Sequence, residues 1–261
     1  MRVSTDAMGI RRLRYSNIFF YADEGRLRAI VTSAIEDATP AKISGEIHAL
    51  IVPHGTHLEC GPIAGYAYKL LLTTTQSWDG VTLLAPQLAE GGSNLHVDEA
   101  DAYLTPLDAV QTDKALLLHL RDSGVPIEDV PDDEPILESQ LPFVQTALGD
   151  VPVLPLRVPM NCDDELVAHA SALGLIIAAG NLPEGHAQTV ADAIVNMDVA
   201  ALRGQKPTTR KFFSRTKSIT PTPDLRTIAL ALQLARARGA TQAKQLFVAG
   251  QFGAFVAYAE A

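Results

Sequence analysis

The loop His54-Gly55-Thr56-His57-Leu58-Glu59-Cys60 gathers two imidazoles, a carboxylate and a thiol in one short stretch. Two histidines and one carboxylate converging on one face are the ligand set of a non-haem iron centre, which leaves open positions for substrate and oxygen. Glu184, farther along the chain, could face this loop and supply a further carboxylate. Cys60 stands just before Pro62, at what should be a helix N-terminus, where the helix dipole lowers a thiol pKa and favours the thiolate. With His54 or His57 as base, that thiolate would be the nucleophile of a Cys–His hydrolase. The structural alternatives are a histidine that stabilises its loop through hydrogen bonds and a cysteine that fills a niche for a small side chain.

Other polar clusters say less. His96, Asp98, Glu99 and Asp101 fall in a glycine-bearing stretch, Ala89 to Asp101, without the regular spacing of an EF-hand. It reads as a solvated, mobile loop. His48, His119, His169 and His186 show no ligand spacing, and Cys60 and Cys162 are too far apart to suggest a disulfide framework or a cysteine zinc site. No serine elbow, phosphate loop or dinucleotide fingerprint is present.

The elements that must position these groups follow from apolar periodicity. Leu27, Ile30, Val31, Ala34 and Ile35 recur at helical spacing after Asp23, a suitable N-cap, so residues 23 to 37 are predicted to be a helix. Ile47 to Val52, Val81 to Ala85, Val151 to Leu156 and Leu175 to Ala179 are short, nearly continuous apolar runs, the pattern of strands covered on both faces. Helices are expected from Pro62 to Leu72, Thr112 to Leu120, Leu137 to Leu148, Asp164 to Leu173 and Asp224 to Arg238. Leu246 to Ala249 and Phe255 to Ala259 flank Gly-Gln-Phe-Gly and read as a hairpin. The acidic, proline-bearing stretch from Asp122 to Glu138 reads as a surface excursion. Alternating strands and helices imply a three-layer α/β/α sandwich around a mixed, mostly parallel sheet, formed by residues 1–261 as a single domain.

The chain has 261 residues, 47% of them hydrophobic, and a formal net charge of −9. The charge opposes binding to nucleic acid, which is gripped through its phosphates. Lys206, Arg210, Lys211, Arg215 and Lys217 gather around Phe212 and Phe213, a cluster read as a solvated surface loop docked by its phenylalanines. No apolar run approaches the roughly 20 residues that span a bilayer, and no secretory signal pattern precedes the first helix. A soluble, cytoplasmic protein without nucleic acid or membrane partners is expected.

His54 to Leu71, HGTHLECGPIAGYAYKLL, resembles the signature of the Memo family, also called AmmeMemoRadiSam system protein B: His-Ala-Gly-Tyr-x-Tyr-Ser-Gly-Pro followed by Tyr-Lys-Leu-Leu. FFYADEGRL at 19–27, LTPLDAVQTD at 104–113, ESQLPFVQ at 138–145 and the closing FVAYAEA resemble further family segments in the same order. The resemblance implies a fold related to the class III extradiol dioxygenases, with a pocket at the ends of the central strands, where open α/β sheets bind ligands.

It also implies a metal site of two histidines and a cysteine, with an aspartate and a histidine nearby, and there the chain departs from the family. His54 keeps the first position. The segment Ala85-Pro86-Gln87-Leu88 puts Leu88 where the second histidine belongs, and Ala178 to Glu184 puts Asn181 at the aspartate and Glu184 at the histidine. The cysteine position falls near Thr220. The pocket candidates are thus His54, His57, Glu59, Cys60, Gln87, Asn181, Glu184 and Thr220. The expectation is a catalytically degenerate Memo-like protein that keeps the pocket for a small molecule or a protein partner and needs no cofactor. The alternative is a metal-dependent oxidoreductase of dioxygenase type, holding iron, copper or zinc at a site rebuilt around His54, His57 and Glu184. A second subunit could close the pocket rim, so a homo-oligomer is compatible with either.

Overall fold

The structure is a computed structural model that describes residues 9–39, 41–89, 91–131, 134–204 and 220–260. The basic cluster between Lys206 and Lys217 lies outside the described residues.

Four parallel strands make the centre: β2 (Gly45–Val52), β3 (Val81–Pro86), β8 (Val153–Val158) and β9 (Leu175–Ala179). The full sheet has eight strands in the order β10-β11-β2-β9-β3-β8-β4-β7. One edge is the antiparallel hairpin of β10 (Gln242–Ala249) and β11 (Phe252–Glu260), which pairs with β2. Short strands β4 (Leu95–Val97) and β7 (Ile127–Asp129) make the other edge. A separate small sheet joins β1 (Ile10–Arg12), β5 (Ala102–Leu104) and β6 (Ala109–Gln111). The three-layer, mostly parallel architecture expected from the sequence is the one observed.

The central strands are apolar on both faces because helices cover both. Along β9, Leu175, Ile177 and Ala179 pack with α1 (Glu24–Glu36), α2 (Gly61–Thr73) and α4 (Pro135–Leu148). Ile176 and Ala178 point the other way. They join α3 (Lys114–Asp122), a 3-10 helix (Glu165–Ala172), α5 (Ala187–Val195), α6 (Val199–Leu202) and α7 (Pro223–Ala237).

Several expectations are corrected. The stretch from Ala89 to Asp101 is not simply a solvated loop: Leu95, His96 and Val97 are buried in β4. The surface excursion after Asp122 contributes β7, which pairs with β4. The segment after Asp164 winds as a 3-10 helix.

The first helical layer depends on one close approach. A Cβ at Gly65 in α2 would overlap the Ala34 carbonyl oxygen of α1. Glycine is thus required by the distance between the helices. Gly65→Ala is expected to destabilise the fold by about 1–3 kcal/mol, the usual cost of overpacking a filled core. Chemical denaturation would measure it, and an unchanged midpoint would show that the two helices separate freely.

Candidate functional site

Because β2, β9, β3 and β8 are parallel, the chain leaves all four at the same edge of the sheet. The segments after β2, β9 and β8 meet the first turn of α7, which is capped by Thr222: its Oγ1 accepts from Leu225 N at 3.2 Å.

Two residues past β2, His54 is clamped by Asn181, two residues past β9. Its backbone N donates to Asn181 Oδ1 at 3.1 Å, and Asn181 Nδ2 donates to the His54 carbonyl at 2.9 Å. Asn181 N donates in turn to Asp224 Oδ1 at 2.8 Å, and the same oxygen lies 2.7 Å from His54 Nε2. A carboxylate acceptor fixes the proton of the imidazole on Nε2. His54 Nδ1 has no partner among the described residues and is not buried. In the neutral ring it carries a lone pair able to accept a hydrogen bond. Asp224 sits in the first turn of α7, where the dipole favours a negative charge.

Asp224 was not among the candidates, because an aspartate at a predicted helix start reads as its cap. With Thr222 capping and Pro223 following, Asp224 is free for other partners. That Thr-Pro-Asp order is the signal that could have revealed it.

His57 does not belong to this cluster. It is buried, with its ring against Phe20 and Phe143 at centroid distances of 5.6 and 5.1 Å, and its Nε2 donates to the Ser139 carbonyl at 2.7 Å. Burial lowers its pKa to about 4, only partly opposed by the Ser139 bond. Cys60 is also buried. Burial pushes its thiol up to about 12, so desolvation outweighs the dipole expected to activate it. Buried at 1% exposure, Cys60 does not present the accessible thiolate that the sequence reading asked for.

Glu59 is exposed and accepts from Thr56 Oγ1 at 2.8 Å. Glu184 is exposed and its carboxylate makes no hydrogen bond or ion pair with any described residue. Thr220 is exposed. Gln87, one residue past β3, is buried with its Oε1 unpartnered among the described residues. Leu88 turns outward at 53% exposure.

The donors at the strand ends are thus one histidine already engaged by one aspartate. Among the described residues no group of three or more His, Cys, Asp or Glu is arranged to hold a metal ion. The residues present do not fit the metal centre that the family resemblance implies.

The family model described as Memo-like protein matches residues 11–181. This chain belongs to the Memo-like family. A MEMO1 family protein of Pyrobaculum aerophilum is 27% identical over 118 residues, 44% of this chain and 42% of that protein. One from Methanococcoides burtonii is 26% identical over 184 residues, covering 63% and 68%. One from Methanothermobacter thermautotrophicus is 25% identical over 207 residues, covering 70% and 73%. The match thus spans less than half of the Pyrobaculum protein and 68% and 73% of the other two. The crystal structure of an uncharacterized protein from Escherichia coli K12 superposes with a TM-score of 0.50 at 16% identity, covering 81% of this chain and 99% of that one, a likeness of fold alone. The Memo-like match ends at Asn181, so Asp224 lies beyond it.

Two outcomes follow from this geometry. Asn181→Asp, which restores the residue type implied by the Memo-like pattern, removes the donor to the His54 carbonyl and sets a charged oxygen against it. A loss of about 1–3 kcal/mol in unfolding free energy is expected, and unchanged stability would mean the clamp contributes nothing. His57 binds its proton less well folded (about 4) than unfolded (6.5), so its contribution is present above pH 6.5 and is lost as pH falls toward 4. By pH 4 the wild type should lose about 3 kcal/mol more than His57→Phe. Parallel stability–pH curves for the two proteins would refute this.

Proposed function

We propose that this Memo-like chain is a non-catalytic binding protein whose strand-end site, built on His54, Asn181 and Asp224, takes a small molecule or a segment of a protein partner without a metal cofactor. The observation that carries the proposal is the clamp. Asn181 spends its amide on both backbone groups of His54, and Asp224 engages the ring at Nε2. An amide performs this work because it donates and accepts at once, whereas a carboxylate only accepts. The substitution thus suits a loop closed by hydrogen bonds. What remains for a ligand is His54 Nδ1, at a strand-end position of the kind where open α/β sheets bind small molecules.

A dioxygenase-like oxidoreductase would need further donors beside His54. The His57 ring is held by Ser139 and the aromatic wall, and the Glu184 carboxylate stands in solvent. Late first-row metals bind imidazole and thiolate well and neutral amides poorly, so Asn181 offers no substitute. One architecture hosts many activities, so the reading rests on the site.

The test is elemental analysis of tag-free protein purified without chelators and then incubated with iron(II), copper or zinc, alongside His54→Ala. Trace metal in every sample is the expected result. Near-stoichiometric metal that disappears in His54→Ala would overturn the proposal in favour of a metal-dependent oxidoreductase.

A further inference from the structure

Beside the contact between α1 and α2 lies a groove that neither the family resemblance nor the His54 cluster uses. Ala34 lies against Gly65, and Lys69 Nζ donates to the Glu36 carbonyl at 3.4 Å, so the two helices run in the same direction. Helical spacing makes the walls. Ile30, Ala34, Asp37 and Ala38 form one stripe along α1 and its C-terminal end, and Leu58, Pro62 and Tyr66, at steps of four, form the facing stripe. The groove encloses about 300 Å³. Leu58 is exposed and extends the apolar wall outward, while the Tyr66 ring is held by a stack on Phe247 at a centroid distance of 4.6 Å.

The electrostatics of this groove are one-sided. Asp37 is the C-cap of α1, at the negative end of the helix dipole, where a cation is favoured and a carboxylate is not. No basic residue in the last turn of α1 offsets it, and Lys69 is engaged at the Glu36 carbonyl. Ser33 Oγ donates to Asp37 Oδ2 at 2.8 Å, and because Ser33 is itself a wall of the groove, this bond holds the carboxylate on that face. Asp37 is exposed, and its Oδ1 makes no hydrogen bond or ion pair with any described residue. Asp37 alone among the lining side chains is charged at neutral pH, since burial lowers the pKa of the His57 ring to about 4.

We propose that this groove binds a small hydrophobic primary amine in its ammonium form, with the ammonium on Asp37 beside the Tyr66 ring and the hydrocarbon along Ile30, Leu58 and Pro62. Three observations select that class. An exposed carboxylate at the negative end of a helix, without a cationic partner, calls for a positive charge and repels an anion. An aromatic ring held in place next to it adds a cation–π contact. The rest of the wall is apolar, so a hydrated metal ion would leave it unfilled. Size narrows the choice further. Asp37 follows Ile30 by two helical turns, about 10 Å along the axis, and the volume lies near the lower end for small-molecule pockets, which suits one ring and a short chain.

The experiment is titration calorimetry on the full chain at low, fixed ionic strength, with phenethylammonium chloride, 2-phenylethanol and sodium 3-phenylpropanoate as separate probes. The three share a ring and differ in charge. Saturable phenethylammonium binding, roughly fivefold or more tighter than either other probe, is expected. Asp37→Asn keeps an acceptor for Ser33, removes the charge at an exposed position where folding is undisturbed, and should weaken phenethylammonium by about fivefold. Tyr66→Leu keeps an apolar wall but loses the ring, and should weaken it by about threefold. The inference is overturned if phenethylammonium does not saturate, if 2-phenylethanol or 3-phenylpropanoate binds as tightly, or if either variant binds phenethylammonium like the wild type.

Discussion

The arrangement at the strand ends depends on how the parallel ladder between β2 and β9 is finished. Its last backbone bond runs from Gly180 N to the Val52 carbonyl at 2.9 Å. Beyond it the two chains diverge toward different helices, and the backbone groups of His54 would be left without partners. The Asn181 side chain replaces the missing strand, accepting from one backbone group of His54 and donating to the other. Asp224 then holds Asn181 from the side of α7. Gly180 lets that helix come close, because a Cβ there would press on Ile228. One amide, one carboxylate and one glycine therefore set how the first loop, the fourth central strand and the last helix meet.

The other segments that resemble Memo motifs serve the same end by packing. In α4, Glu138 is fully buried and accepts from Arg11 at 2.8 Å and from the backbone of Arg14 and Tyr15, which pins the N-terminal segment to the helical layer. Burial raises its pKa despite the Arg11 guanidinium, and removing Arg11 would strand a buried carboxylate. Ser139 holds the His57 ring through its carbonyl. Gln140 accepts from Tyr68 and donates to the Pro53 carbonyl at 3.2 Å, and Phe143 stacks on Tyr68. In the loop after β5, Thr105 gathers Gln145 and the backbone of Leu107 and Asp108. Asp23 and Asp113 cap α1 and α3. Of these contacts, those of Ser139 and Gln140 reach the first loop, at His57 and Pro53.

What could be read from the sequence follows the range of the interactions. Leu175 to Ala179 matches β9 residue for residue, and the helices after Asp23 and before Leu148 lie within a residue or two of their predicted bounds, because buried periodicity and caps are local signals. Short elements escaped. The three-residue strands β1, β4, β5 and β7 have partners far away in the chain, β6 pairs only with its neighbour β5, and β7 is too exposed to show a pattern. α5 and α6 were missed for a different reason: their apolar positions were dispersed among alanines. His57 could not be separated from a ligand by spacing, since what buries it is Phe143 in α4, a contact across the layer. Asp224 lies 170 positions from His54, beyond any local signal.

The polar replacements at the strand ends make sense together. Leu88 could not coordinate an ion in any conformation, and it has turned outward. Asn181 in place of an aspartate would weaken a metal site but strengthens a loop that has to hold itself, because it supplies the donor that the His54 carbonyl lacks. Once a carboxylate from α7 engages His54 Nε2, a further negative charge at position 181 would crowd like charges within one hydrogen-bonded cluster. The neutral amide avoids that repulsion. The same helix offers Asp224 toward β2 and β9 and Arg226 toward β8, so a carboxylate and a guanidinium stand on two sides of one helical turn. A fold whose parallel strands deliver four loops to one edge needs polar groups there to close them. In this chain hydrogen bonds and paired charges do so.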